Sequence, residues 1–153
     1  MIAVRDGTAA DRDFVVETAR RFAAFGPPPW RTASEVVGGE VRCLDEFFDG
    51  RLLGPALLIA ELDGRPAGFA FLETAVDYFS GEAHGHLGMI AVTEFAEGRG
   101  AGAALMRAAE AWGRSRGYKK LTLNVFEGNA RARSAYERAG FRVETLKYVK
   151  PLG

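Results

Sequence analysis

Three glycines at alternate positions, Gly98, Gly100 and Gly102, stand behind an apolar run and ahead of an Ala/Leu/Met-rich segment. That order can build an anion cradle. The turn lets backbone N–H groups point outward, and the first amides of the following helix have no partner within it and carry partial positive charge. Glycine keeps a Cβ out of the anion's approach, so a phosphate is the group such a turn would hold; a strand–helix connection that needs tight turns is the alternative. The apolar run within His86–Gly102 (Leu87, Met89, Ile90, Ala91, Val92) reads as a buried strand. It opens on His86, whose imidazole titrates in the range useful for proton transfer. Strand alternation places His86 on one face with Gly88 and Ile90.

Elements on either side must position these groups. Ile2–Arg5 alternates and predicts a first strand. Thr8 with Asp11 resembles a capping box that opens a helix, with Phe14, Val15, Thr18, Ala19 and Phe22 on one face. Gly26-Pro27-Pro28-Pro29 ends that helix and presents Trp30 on a stiff link. Thr32 and Glu35 predict a second capped helix, carrying Val37, Val41, Cys43, Leu44 and Phe48 and stopping near Asp49-Gly50. Ala56–Leu62 and Gly68–Thr74 read as strands around the hairpin signal Asp63-Gly64, and Ala75–Gly85 reads as a loop. After the glycine turn comes a helix that ends at Gly117. A strand over Tyr118–Phe126 follows, with Leu121, Leu123 and Val125 alternating against Thr122 and Asn124. Asn129 then caps a last helix that Gly140 ends, and Phe141–Val149 predicts a terminal strand. The expected order is β-α-α-β-β-β-α-β-α-β: an α/β fold with a mixed sheet and helices on both faces.

At 153 residues, with 48% hydrophobic and 26% charged residues, the chain fits a single folded domain, 1–153, rather than a disordered one. Twenty basic residues balance twenty acidic ones, which removes the simplest electrostatic case for nucleic acid or an anionic membrane. Cys43 is the only cysteine, so neither an intrachain disulfide nor a cysteine zinc site is expected, and no metal is. No signal-peptide pattern or membrane-spanning run is visible, and a cytoplasmic protein is the expectation.

Two motifs carry a resemblance to the GNAT family of acetyl-CoA-dependent N-acetyltransferases. The family's pyrophosphate loop, Q/R-x-x-G-x-G/A, aligns with Glu97-Gly98-Arg99-Gly100-Ala101-Gly102, departing only at its first position, where Glu97 removes one possible donor. The pattern N-x-x-A-x-x-x-Y-x-x-x-G-F is matched at every fixed position by Asn129, Ala132, Tyr136, Gly140 and Phe141. The resemblance implies a mostly antiparallel sheet splayed at its middle, with acetyl-CoA in the opening and no metal. It implies that pantetheine pairs with the backbone of Ile90, Ala91 and Val92, and that the pyrophosphate lies on Gly98, Arg99, Gly100, Ala101, Gly102 and Ala103. Asn129, Ala132 and Tyr136 would flank the cofactor. Tyr136 would give a proton to the CoA sulfur, and an amine acceptor would attack the thioester directly. A strand carboxylate often faces the acceptor in this family, but Gly88 holds that place here; His86 is the candidate base, with Glu82, His84 and Glu127 as fallbacks acting through water, or loss of the amine's proton to solvent. A homodimer is compatible with the resemblance.

Other readings fit less well. Gly98-x-Gly100-x-x-Ala103 satisfies a dinucleotide fingerprint, but Thr93–Glu97 separate the strand from the first glycine. A P-loop would need Gly-Lys-Ser/Thr after its glycines. The rival from another class is a non-catalytic acyl-CoA-binding sensor or interaction module of the same fold.

Overall fold

The computed structural model describes residues 1–153. In chain order it contains β1 (Ile2–Asp6), α1 (Arg12–Ala19), α2 (Ala33–Phe48), β2 (Ala56–Leu62), β3 (Arg65–Val76), β4 (Ala83–Val92), α3 (Ala101–Ser115), β5 (Leu121–Leu123) and α4 (Ala130–Arg138). The five strands lie side by side in sequence order. The first three pairings are antiparallel, and β4 and β5, joined through α3, run parallel. No helix is long and apolar enough to cross a membrane.

Local signals account for most of the boundaries. Both halves of the α2 capping box form: Glu35 N–H donates to Thr32 Oγ1 at 3.0 Å, and Thr32 N–H to Glu35 Oε2 at 3.4 Å. Asp63 and Gly64 both have positive φ, 51° and 81°, as a two-residue hairpin turn between β2 and β3 requires. β2 and β3 are apolar at successive positions because the sheet is covered on both faces. Leu57, Ile59, Phe69 and Phe71 pack towards α1 and α2, while Leu58, Ala60, Ala70 and Leu72 pack towards α3.

Four expectations change. The segment expected as a loop, Ala75–Gly85, is strand at both ends: β3 continues to Val76 and β4 begins at Ala83. Only Asp77–Glu82 turns, because the Asp77 carboxylate accepts from the N–H groups of Phe79 and Ser80 at 2.9 and 2.8 Å. β5 spans three residues rather than Tyr118–Phe126, since its pairing with β4 stops at Leu87–Leu123. Phe141–Val149 forms no strand. The last backbone hydrogen bond of the chain runs from Phe141 N–H to Tyr136 O, and the short β5 offers too little edge for a further ladder. Finally, β4 contains a bulge. Phe71 pairs with Met89 but Leu72 pairs with Leu87, so Gly88 is the extra residue. The bulge breaks the alternation, and Ile90 packs with Leu87 against the α3 core rather than lying on the face of His86.

Candidate active site

The bulge and the short β5 together open the sheet. Beyond Leu87 the edge of β4 that faces β5 has no strand partner, and this edge includes Ile90, Ala91 and Val92. A free strand edge offers N–H and C=O groups to an amide-bearing ligand. At the end of that edge the chain passes through a 3-10 turn (Glu94–Ala96) into the glycines. Gly98 and Gly100 have φ of 71° and 90°, and a Cβ built on either would meet nothing within 4 Å. Gly100 in the left-handed region is the N-cap of α3, so the free amides at the start of a 15-residue helix open onto uncluttered space. Ala101 is buried beneath this turn, whereas Arg99 and Ala103 are exposed and Gly102 is half-buried. Gly102 has an ordinary φ, and its Cβ would make only a 3.6 Å contact with Val92.

Glu97 does more than replace a donor. Arg21, in the 3-10 turn after α1, binds the Glu97 carboxylate through Nη2 and the Val92 carbonyl through Nη1. Arg131 of α4 reaches the other Glu97 oxygen at 3.4 Å. These two guanidiniums hold the Glu97 carboxyl below its ordinary range, Arg21 being the larger influence. Glu97 therefore ties α1, the glycine turn and α4 together. Opposite, Asn129 Oδ1 accepts from Ala132 N–H at 3.3 Å and caps α4. Tyr136, on the same helix, is half-buried beside Phe141, and burial pushes its phenol up, which favours the protonated form.

On the α1/α2 face of the sheet, just before the seam opens and where β4 still pairs with β5, stand the imidazoles. His86 Nδ1 lies 2.8 Å from Thr122 Oγ1, and His84 Nε2 lies 3.1 Å from the same hydroxyl. One hydroxyl proton serves both contacts, so Thr122 donates to one ring and accepts from the other. His84 is buried, while His86 is half-buried. Burial lowers the His86 pKa, against an opposing pull from Glu73. His86 is thus biased towards the neutral imidazole that can accept a proton.

The architecture has close counterparts. The model of the acetyltransferase (GNAT) family matches residues 22–141, well over half of the chain. The chain belongs to the GNAT acetyltransferase family. Among curated relatives of this GNAT chain, YhfO, an uncharacterised N-acetyltransferase of Bacillus subtilis strain 168, is 29% identical over 144 residues, covering 93% of this chain and 91% of YhfO. A GCN5-related N-acetyltransferase of Ralstonia eutropha JMP134 superposes with a TM-score of 0.74 at 21% identity, covering 99% of each chain. The aminoglycoside N-acetyltransferase AAC(6')-Iy in complex with CoA gives a TM-score of 0.74 at 19% identity, covering 99% of this chain and 95% of that one. Both superpositions establish a shared fold.

Sequence reasoning missed Glu73, Arg21 and Thr122 as members of the site. Thr122 had a visible signal, since alternation separates it from Leu121 and Leu123. Glu73 and Arg21 had none, because only the β3–β4 register and the packing of α1 bring them here.

Proposed function

We propose that this GNAT chain is an acetyl-CoA-dependent N-acetyltransferase that passes acetyl directly to a primary amine of a small molecule or peptide. The observation that carries the reading is the open seam between β4 and β5, bulged at Gly88 and closed at one end by the Gly98–Gly100 turn. An extended pantetheine suits the free β4 edge at Ile90–Val92, although the Val92 carbonyl is already engaged by Arg21. A diphosphate suits the amides and open Cβ positions from Gly98 to Ala103, with Arg99 beside them. Asn129 and Ala132 begin the helix that carries Tyr136.

Acetyl-CoA supplies an activated acyl group as a thioester. This chain's residues must then neutralise the amine and protonate the departing sulfur. In this reading His86, backed by Thr122, takes the amine's proton. Tyr136, kept protonated by burial, gives one to sulfur.

Thermal unfolding with acetyl-CoA, CoA, NAD and ATP tests the donor, and an amine panel tests turnover. A ligand at about a hundred times its dissociation constant stabilises a fold by ~2.7 kcal/mol, which is roughly 5–10 °C for a domain of this size. Shifts with acetyl-CoA and CoA alone, together with turnover, support the reading. A shift with NAD, or with none of the four, refutes it. Binding without turnover on any amine establishes the non-catalytic acyl-CoA module instead.

A further inference from the structure

A carboxylate occupies the space that a side chain at Gly88 would fill. It comes from the neighbouring strand. Glu73 of β3 pairs across the sheet with His86, on the side of the sheet to which Phe69 and Phe71 point. A Cβ built on Gly88 would lie 2.9 Å from Glu73 Oε2 and 3.3 Å from its carboxyl carbon. The Glu73 carboxylate is folded over the bulge, in the volume a side chain at position 88 would fill. Only glycine at the bulge leaves room for it.

Glu73 has no partner within the protein. None of the chain's ion pairs uses it, nor does any side-chain hydrogen bond. The groups that face it are Glu40 and Cys43 from α2 and His86 from β4, none of them a fixed cation. Its charge is felt by all three. After burial, it is the next influence raising Glu40 and Cys43, and it opposes the burial that lowers His86. An unpaired, half-buried carboxylate beside a basic imidazole is completed by a ligand that brings a positive charge and N–H donors.

We propose that Glu73 is the acceptor-binding residue: folded over Gly88, it receives the ammonium of a primary-amine acceptor and holds it beside His86 at the open seam. This rests on the acyl-transfer reading above. The protons balance. Of the three on the ammonium nitrogen, one passes to His86 and on to solvent. One replaces the proton that Tyr136 gives to sulfur as the N–C bond forms and the C–S bond breaks. One remains on the amide product. Glu73 keeps its charge throughout, and that charge steadies the imidazolium at His86.

The test compares wild type, Glu73→Gln and Gly88→Ala in steady-state kinetics at pH 8. One acceptor is the best primary amine from the panel and the other is hydroxylamine, a nucleophile uncharged at that pH. Acetyl-CoA binding is followed in each protein by its thermal shift. With the ammonium acceptor, Glu73→Gln should raise KM about tenfold or more. The loss with hydroxylamine should be clearly smaller, and the acetyl-CoA shift should persist. Gly88→Ala, which displaces the carboxylate without removing it, should change KM in the same direction. An unchanged amine KM in a folded Glu73→Gln, or equal losses with both nucleophiles, overturns the assignment of Glu73 alone. Wild type that binds acetyl-CoA but acetylates no amine overturns the transferase reading, and this assignment with it. If Glu73→Gln does not fold, Gly88→Ala decides by the same comparison.

Discussion

Asp11 is the one buried carboxylate of the fold, and replacing it with Asn should cost about 2 kcal/mol at neutral pH. Its side chain accepts both Nη groups of Arg5 at 2.9 Å and the Thr8 N–H at 2.8 Å, in a residue only 5% exposed. The Arg5 hydrogen bonds, more than any other influence, bring its pKa from an ordinary 3.8 down to about 2. That difference makes ionised Asp11 worth ~2.4 kcal/mol to the folded state. Because the folded value lies below the unfolded one, the contribution is fully present above pH 4. It fades as pH falls from about 4 towards 2, where the native carboxylate is finally protonated. Asn removes the charge but can still accept from Thr8, and Arg5 keeps Glu61 at 3.1 Å, so the variant isolates the pair with Arg5. Urea unfolding of both proteins at pH 7, 4, 3 and 2 is the assay. The stability gap should be about 2 kcal/mol at pH 7, or roughly 4–8 °C in melting temperature, and should close between pH 4 and pH 2. A gap below ~0.5 kcal/mol at pH 7, the size of an ordinary surface substitution, would refute the argument. So would a gap that does not narrow in acid.

Gly100→Ala forces a Cβ onto a left-handed residue, at a cost of ~1–2 kcal/mol, and places it where the diphosphate would approach. Calorimetry should show weaker acetyl-CoA binding than in Gly102→Ala, where φ is ordinary and the nearest contact is 3.6 Å. Tyr136→Phe should lower kcat by about tenfold or more, as expected for loss of a general acid, while acetyl-CoA affinity stays within about twofold. Equal turnover would remove the phenol from the acid role. Burial lowers the His86 pKa, so wild-type activity should hold as pH drops past ~6.5 and fall only below it. His86→Asn should lose that limb of the pH–rate profile, and a profile of unchanged shape would assign His86 to structure alone.

Elements with local signals were legible in the chain itself. Thr32 and Glu35 cap α2, Asp63-Gly64 turns the β2–β3 hairpin, Asn129 caps α4, and the glycine turn feeds α3 as its spacing implied. The failures share one cause, which is strand pairing. Alternation assumes an unbroken ladder, and the extra residue at Gly88 moved Ile90 to the other face. The lengths of β4 and β5 depend on how far their neighbours run beside them, so Ala83–Gly85 became strand while Asn124–Phe126 did not. In the site, the turn and His86 could be named from residue type. Glu73 could not, because its position over Gly88 is a property of register. Glu97 read as a lost donor until packing showed it as the shared partner of Arg21 and Arg131.

Cys43 adds a practical consequence. It is the only thiol in the chain, half-buried on α2, and burial together with the charges of Glu73, Glu40 and Glu46 raises its pKa. Thiolate is the reactive form, so the same negative charge that would attract a cationic acceptor slows alkylation of this sulfur. The time course of its modification by a small thiol reagent should therefore follow burial first and these charges second, and a cation bound at Glu73 should quicken it.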